Sequence, residues 1–148
     1  MCQAYQGGFV GENHYFALRV YFEDTDVAGI VYYANYLRFM ERARSDMLRA
    51  VGIDQRAVME AGEGAYAVAE VAIRYRAPAR LDDELVVVSQ VREVRAASCL
   101  IHQQVRRGDD ILTDATVTAA FLSPEGRPKR QPRAWIEKFK AVQARGVT

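Results

Sequence analysis

The stretch EDTDVAGIVYYANYLRFMERARSDMLRAV, residues 23–51, joins an acidic loop to a strongly periodic segment. In the second half, apolar residues recur every three or four positions, which is the period of an amphipathic α-helix. They are Tyr36, Met40, Ala43, Met47 and Val51. The pattern predicts one long helix over residues 35–51, ended by Gly52 in a left-handed conformation. The charged residues between these positions, Asp46 included, are expected on its solvent side.

Five segments with β-strand character surround the predicted helix. Residues 16–22 precede it with alternating apolar side chains, and residues 67–76, 85–95, 98–107 and 110–122 follow it. Short breaks at residues 96–97 and 108–109 indicate hairpins and therefore a largely antiparallel sheet. We expect Ala67, Ala69, Val71, Ile73 and Tyr75 to share one face. The order predicts an α+β domain in which one long helix covers a five-stranded sheet.

Two weaker helical patterns complete the predicted elements. Residues 54–61 suggest one or two helical turns before a pair of glycines, and residues 135–142 suggest a short helix near the end of the chain. Neither pattern changes the predicted α+β class.

Composition narrows the class of protein. A chain of 148 residues, half of them hydrophobic, is the size of one domain, which we assign to residues 1–148. With 20 basic and 19 acidic residues, the chain has almost no net charge. We therefore expect no overall electrostatic potential that would attract nucleic acid or an anionic membrane. We expect neither a signal peptide nor a membrane span, because no apolar run in the sequence is placed and long enough to form one. Two cysteines without a C-x-x-C pair favour a reducing cytoplasm.

Histidine-based chemistry is not favoured by this sequence. Its two histidines are His14, in the N-terminal part, and His102, on a predicted strand; we expect both at the surface and neither placed with an acid. A metal site or a Ser-His-Asp triad needs more ligands or partners than these. No motif for a bound cofactor is present. Cys99 alternates with apolar residues and is expected to be a small buried side chain.

The acidic loop before the helix is the strongest candidate for chemistry. Spacing alone leaves three interpretations of Glu23, Asp24 and Asp26 open: caps of the helix, a calcium loop, or a catalytic acid. In the catalytic interpretation, the first helical amides polarise a carbonyl oxygen, and a carboxylate beside it attacks or activates water. Gly29 would allow the backbone to bring acid and helix together.

A family resemblance bears on that choice. RVYFEDTDVAGIVYYANYLRFMERAR, residues 19–44, with YRAPARLDDEL, residues 75–85, resembles the acyl-CoA thioesterases associated with the Tol-Pal system, the YbgC family. These are grouped with the 4-hydroxybenzoyl-CoA thioesterases, and the similarity extends over about residues 16–140, the expected ordered core. It implies the hotdog fold, a five-stranded antiparallel sheet wrapped around one long helix. It also implies active sites at a dimer interface, with dimers commonly paired into tetramers.

The resemblance implies roles for individual residues. The family's catalytic aspartate falls on Asp26, and the amide that polarises the thioester carbonyl falls on the backbone of Tyr33. The implied substrate-binding residues are Gly29, Asn35 and Tyr36, which shape the pocket, and Arg95, at a position that contacts CoA phosphate. Tol-Pal-associated members usually carry histidine where this chain has Tyr33, so Asp26 is expected to work without an imidazole.

The expected activity is hydrolysis of acyl-CoA, and two alternatives remain. One is a hotdog module that binds acyl-CoA or acyl carrier protein without turnover, and the other is a hydratase, which would need a histidine placed with an acid. Four basic residues near the C-terminus are expected either to be solvated or to contact phosphate. They are Arg127, Lys129, Arg130 and Arg133.

Overall fold

The structure is a computed structural model that describes residues 2–146, and it consists of one antiparallel sheet with helices on one face. The strands are β1 (Gly8–Val10), β2 (Asn13–Arg19), β3 (Ala65–Tyr75), β4 (Glu84–Val94), β5 (Ser98–Arg107) and β6 (Asp110–Leu122). The helices are α1 (Asn35–Ala50), α2 (Gln55–Glu60) and α3 (Arg133–Ala144), and Phe22–Asp24 forms a 3₁₀ turn. The sheet order is β1-β2-β4-β5-β6-β3. Across residues 2–146, no helix is both long and apolar enough to cross a membrane.

The long helix and the hairpins are where the sequence predicted them. The apolar stripe of α1 packs against inward-facing residues of β4, β5 and β6, which gives the central core. Phe39, Met40 and Ala43 of this stripe are at most 1% exposed. Burial of a side chain such as Phe or Met contributes about 1.5–3 kcal/mol, so this stripe is what fixes α1 on the sheet. The α+β, hotdog-like arrangement is confirmed.

The sheet has six strands rather than the five predicted. The additional strand, β1, has three residues and pairs only with β2, so it was too short to show a period in the sequence. The first predicted strand is also displaced, because β2 begins at Asn13 and ends at Arg19. Phe22 lies in the 3₁₀ turn and is 82% exposed, so its apparent continuation of the alternation was misleading.

The predicted face of β3 is wrong in its first half. A bulge between Val68 and Glu70 shifts the register with β6, so the side chains exchange faces there. Val71 and Ile73 pack against the core as expected, whereas Ala67 and Ala69 are exposed. The alternation of side chains in the sequence could not reveal that the pairing of β3 with β6 skips one residue of β3.

The expectation that Asp46 and His14 are exposed is wrong. Asp46 is 5% exposed and His14 is fully buried, and His14 Nε2 lies 2.8 Å from Asp46 Oδ2. The Gly7 amide donates to the same oxygen at 3.0 Å. Burial lowers the pKa of His14 more than Asp46 raises it. The pair joins α1 to β2 and to the chain before β1.

A second core forms where α3 packs beside the C-terminal half of α1. Trp135 and Phe139 of α3 join Met47 and Leu48 of α1 against the same face of the sheet. Cys99 is buried here, as predicted, and burial raises the pKa of its thiol to about 11. The C-terminal half of α1 is therefore fixed by side chains of both the sheet and α3.

Candidate active site

The acidic loop forms a small hairpin immediately before α1. The Asp26 amide donates to the Ile30 carbonyl at 2.9 Å, and Thr25 and Val31 form an antiparallel bridge next to this pair. Gly29 adopts φ +78°, the left-handed conformation that a three-residue hairpin loop with a bulge requires. This geometry places Asp26 at the tip of the hairpin, where it is exposed.

The two oxygens of the Asp26 carboxylate have different surroundings. Oδ1 accepts hydrogen bonds from the amides of Ala28 at 2.9 Å and Ile30 at 3.4 Å. Oδ2 makes no hydrogen bond with any residue of the described range 2–146. The carboxylate is thus oriented through one oxygen, and the other is free to attack or to accept a proton.

The N-terminus of α1 begins without a side-chain cap. Its N-cap residue is Ala34, and the amides of Tyr33 and Ala34 find no acceptor within residues 2–146. Asp24 instead accepts from the Tyr21 amide at 2.8 Å, and Asp26 binds amides of its own loop. The interpretation of these acids as caps of the long helix is therefore wrong. Partial positive charge at this helix end remains available to a carbonyl oxygen.

Asn35 and Tyr36 hold the backbone around this site. The Asn35 side-chain amide donates to the Asp24 carbonyl at 2.9 Å, which fastens the loop to the first turn of α1. Tyr36 is 2% exposed, and its hydroxyl accepts from the Ala79 amide at 3.0 Å. Burial raises the pKa of Tyr36, so the phenol stays neutral. A role for either residue in substrate binding stays a prediction.

Exposed tyrosines line the surface beside the uncapped helix end. The rings of Tyr32 and Tyr33 lie 4.9 Å apart, and the Tyr33 and Tyr75 rings lie 6.1 Å apart. The Tyr75 hydroxyl donates to the Tyr33 carbonyl at 3.1 Å. The sequence did not predict that Tyr75 would lie at this site. Tyr75 is the last residue of a predicted strand face and the first residue of the motif YRAPARLDDEL.

A second loop, residues 79–83, forms hydrogen bonds to the hairpin, and we call it the supporting loop. The Val31 amide donates to the Ala79 carbonyl at 2.9 Å, and the Leu81 amide donates to the Gly29 carbonyl at 3.2 Å. Ile30 and Arg80 form an antiparallel bridge between these bonds. The loop comes from the motif YRAPARLDDEL, for which the sequence suggested no role at the site.

Arg95 is not brought near Asp26 within one chain. It follows the last residue of β4, whereas the loop of residues 79–83 precedes the first residue, and the strand between them is about 33 Å long. Arg95 binds Glu93 at 2.7 Å and borders a cavity of about 400 Å³. Arg130, Arg133 and Lys140 also line this cavity, which we call the basic groove.

Both histidines lie away from the hairpin, but each is paired with an acid, contrary to expectation. His14 contacts Asp46 in the core, and His102 Nε2 lies 2.7 Å from Asp114 Oδ1. His102 alternates with the inward-facing Gln103 and therefore lies on the sheet face opposite α1. No cluster of three or more histidine, cysteine, aspartate or glutamate side chains suited to a metal ion occurs within residues 2–146.

Comparison with known proteins identifies the family. The model of the thioesterase-like superfamily matches residues 20–141, which include the hairpin, α1 and most of the sheet. The chain belongs to the thioesterase-like superfamily. It is a thioester hydrolase by this membership and by its similarity to named hydrolases.

The curated relatives include YbgC proteins. The acyl-CoA thioesterase YbgC of Haemophilus influenzae is 40% identical over 127 residues, covering 86% of this chain and 91% of the relative. A 1,4-dihydroxy-2-naphthoyl-CoA hydrolase of Thermosynechococcus vestitus is 40% identical over 68 residues, covering 46% of this chain and 47% of the relative. The resemblance to the YbgC family is confirmed.

Solved structures agree with the fold. A probable thioesterase from Bartonella henselae superposes with a TM-score of 0.77 at 33% identity, covering 81% of this chain and 99% of that one. A 1,4-dihydroxy-2-naphthoyl-CoA thioesterase from Synechocystis superposes with a TM-score of 0.80 at 21% identity, covering 86% and 96%, and shows the shared fold.

Proposed function

We propose that this thioester hydrolase converts acyl-CoA into the free acid and CoA, with Asp26 as the catalytic carboxylate. The observation that carries the proposal is that the hairpin with a free Asp26 oxygen leads directly into the uncapped N-terminus of α1. A thioester carbonyl at the Tyr33 amide would be polarised where negative charge develops, and Asp26 would act on the same carbon. The names of the YbgC relatives support acyl-CoA as the substrate class.

The geometry supports direct attack by Asp26 as the first step. Its oxygen forms a bond to the acyl carbon, the carbon–sulfur bond breaks, and CoA leaves as a thiolate that takes a proton from solvent. Water then opens the mixed anhydride and restores the carboxylate. Tyr33 occupies the position where a histidine base would stand, and its phenol side chain cannot replace an imidazole as a base at neutral pH. General-base activation of water by Asp26 is the alternative.

A second copy of the chain completes the substrate site in this proposal. β3 is an edge strand of 11 residues, and its Val68 and Tyr75 are 47% and 45% exposed, which suits pairing with another chain. In a dimer, Arg95 and the basic groove of one copy would receive the CoA phosphates of an ester held at the other copy's Asp26. The assembly is a dimer, or a tetramer formed by two dimers, and acyl carrier protein is an alternative carrier of the acyl group.

We place the protein in the cytoplasm, where CoA esters are available and thiols stay reduced. Cys2 and Cys99 are both free in the structure, one exposed and one buried, which agrees with a reducing compartment. The proposed reaction needs no metal or cofactor, because the carboxylate and the helix amides supply both chemical roles.

Thiol release from a panel of CoA esters, of differing chain length and aromaticity, tests the activity. Asp26→Asn should lower kcat by about a hundredfold or more, the usual low end for a positioned acid or base. Asp24→Asn is the matched control, because its carboxylate binds the Tyr21 amide and faces no helix amide. Binding of CoA esters without thiol release would identify the acyl-binding module instead. Equal losses in both variants would mean that the loop acts structurally.

Isotope labelling separates the two roles of Asp26. A single turnover in ¹⁸O-labelled water with excess enzyme can leave one solvent oxygen on Asp26 if water opens the anhydride at the aspartyl carbon. Mass analysis of the peptide containing Asp26 detects that oxygen and supports direct attack. Label only in the product acid requires rapid-quench trapping of an acyl-enzyme. If neither an acyl-enzyme nor labelled Asp26 is found with several substrates, Asp26 is the general base.

Charge removal tests the basic groove. Replacing Arg95, Arg130 and Arg133 by Gln should raise KM for CoA esters and leave turnover of a thioester without the nucleotide unchanged. Arg127→Gln with Lys129→Gln is the control, because Lys129 already donates to the Glu63 carbonyl and neither residue lines the groove. An equal KM for wild type and the triple variant would mean that these arginines are solvated and do not contact CoA.

A further inference from the structure

We propose that the ion pair of Asp83 and Arg107 is a positioning device for Asp26, acting through the turn of residues 80–83. This role rests on the function proposed above. Within residues 2–146, neither side chain makes a hydrogen bond to the hairpin that holds Asp26, so we expect their influence to pass through the backbone of the supporting loop.

The supporting loop fixes the hairpin on both sides of Ile30. The Val31 amide binds the Ala79 carbonyl at 2.9 Å, and the Gly29 carbonyl accepts from the Leu81 amide at 3.2 Å. Residues 29–31 thus pair with residues 79–81 as a short antiparallel ladder. Because Asp26 closes the same hairpin through Ile30, a shift of the supporting loop would move the carboxylate.

Asp83 and Arg107 hold this loop in place. Asp83 Oδ2 accepts from the Arg80 amide at 2.8 Å and from Arg107 Nη1 at 2.7 Å. The same Arg107 nitrogen donates to the Pro78 carbonyl at 3.2 Å. Although burial raises the pKa of the Asp83 carboxyl, the Arg80 amide and the Arg107 guanidinium lower it more, so Asp83 stays ionised. The pair therefore ties residues 78, 80 and 83 to the end of β5.

The turn also contains strained backbone. Asp82 has φ +69° and is the one non-glycine residue with positive φ among residues 2–146. Its amide donates to the Val20 carbonyl at 3.0 Å, and the Asp83 carbonyl accepts from the Val20 amide at 2.9 Å. Such a conformation costs about 1–2 kcal/mol and persists where surrounding contacts determine it. Retention of this strain directly beside the hairpin is what a positioning role predicts.

Stability alone is a weaker explanation of the pair. The side chains of Arg107 and Asp83 are 36% and 24% exposed, and ion pairs near the surface contribute little to folding. Displacement of a catalytic group by about 1 Å can instead lower turnover a hundredfold. The two explanations therefore predict different ratios of lost activity to lost stability.

The test compares Asp83→Asn with Asp114→Asn. Asp114 is a matched control, since it is 27% exposed and also binds a guanidinium, that of Arg76. It lies beside His102 on the sheet face opposite α1 and makes no hydrogen bond to either loop. Measurements are kcat and KM for one acyl-CoA, and hydrogen exchange of the peptide of residues 24–32 without substrate.

We expect Asp83→Asn to lower kcat about tenfold or more, with a smaller change in KM, and to accelerate exchange of that peptide. Arg107→Gln should behave in the same way, and Arg107→Lys should recover most of the activity because it keeps a charged donor. Asp114→Asn should stay within about twofold of wild type and leave the exchange unchanged.

Three outcomes would overturn the proposal. An equal loss of kcat in Asp114→Asn would indicate general destabilisation. Lost kcat with unchanged exchange would indicate a direct role of Asp83, and faster exchange with unchanged kcat would show that the loop position does not matter. Failure of the proposed function is distinguishable, because wild type itself would then release no thiol.

Discussion

Asp26, in the hairpin before α1, and Asp46, in the C-terminal half of α1, differ in how many hydrogen bonds their carboxylates make with the protein. Asp46 is 5% exposed, and one of its oxygens accepts from both the Gly7 amide and His14. Asp26 is exposed and leaves one oxygen without a partner in the described chain. A buried charge must be satisfied to be tolerated, whereas a reactive one must stay available. We infer that Asp46 holds the fold and that Asp26 serves the reaction.

The ends of α1 show the same difference in backbone groups. At the C-terminus, the amides of Val51, Gly52 and Ile53 bind carbonyls of the last turns. Lys138 adds a bond from α3 to the Gly52 carbonyl at 3.0 Å. At the N-terminus, no side chain caps the helix. At the C-terminal end of α1 the protein supplies the hydrogen-bond partners itself, whereas the N-terminal end keeps amide donors available for a ligand.

Removal of Asp46 should give the largest loss of stability. Asp46→Ala leaves His14 and the Gly7 amide without a partner in a buried place, and each buried donor left unpaired costs about 1–3 kcal/mol. Urea unfolding measures the loss of free energy of unfolding. At a temperature where the variant is folded, kcat should stay within about twofold of wild type. A stability loss below about 1 kcal/mol would refute the structural role of this aspartate.

Asp26→Asn should give the opposite result. Its kcat falls by about a hundredfold, equivalent to about 2.7 kcal/mol in transition-state free energy, while the free energy of unfolding stays within about 0.5 kcal/mol. The two measurements on the same preparation, thiol release and urea unfolding, check this. A variant that loses stability and activity together would remove the distinction between the two aspartates.

The His14–Asp46 pair should make stability depend on pH. Because burial lowers the pKa of His14, the folded state holds the imidazole neutral longer than the unfolded state does. This contribution is complete above the unfolded value near 6.5 and is lost as pH falls below it towards the lowered pKa. Urea midpoints at several pH values from 8 to 5 should decline for wild type.

Histidine replacement identifies the source of that decline. His14→Gln keeps a donor for Asp46 but does not titrate, so the curve should become flatter. His102→Gln, which removes the other histidine of the chain, should retain the wild-type slope. If His102→Gln flattens the curve instead, the buried pair is not the titrating group.

Much of the fold was predictable because its elements repeat regular local patterns. α1 begins at Asn35, where its period begins, and β6 has the bounds predicted from its alternation. β1 was not predictable, because three residues gain their pairing only from β2. Asp46 was placed on the wrong side because it is charged, although it falls three residues after the buried Ala43. His14 similarly shares the face of Phe16 once β2 is extended backwards.

Only one part of the candidate site, the hairpin with Asp26 and Gly29, was predictable from the sequence. The hairpin with Asp26 and Gly29 is local in sequence, so its turn chemistry and its family resemblance were both visible. The supporting loop lies about fifty residues further along the chain, and its contacts depend on sheet pairing between β2 and β4. The ion pair of Asp83 and Arg107 is also long-range, and no periodicity marks such a contact.

Gly29→Ala should give a moderate loss of stability and still separate the hairpin that carries Asp26 from a turn that only joins two strands. Gly29 and Gly108 have φ of +78° and +58°, and an added Cβ would find nothing within 4 Å at either position. Each alanine variant should therefore lose about 1–2 kcal/mol in free energy of unfolding from backbone strain alone.

Gly108 lies in the turn between β5 and β6, whereas Gly29 shapes the hairpin that carries Asp26. Gly29→Ala should then lower kcat clearly more than Gly108→Ala, because only the first variant displaces the carboxylate from the helix end. Thiol release and urea unfolding of both variants give the comparison. Equal kcat values at equal stability loss would mean that the hairpin tolerates strain without moving Asp26, and that its conformation is not what sets the rate.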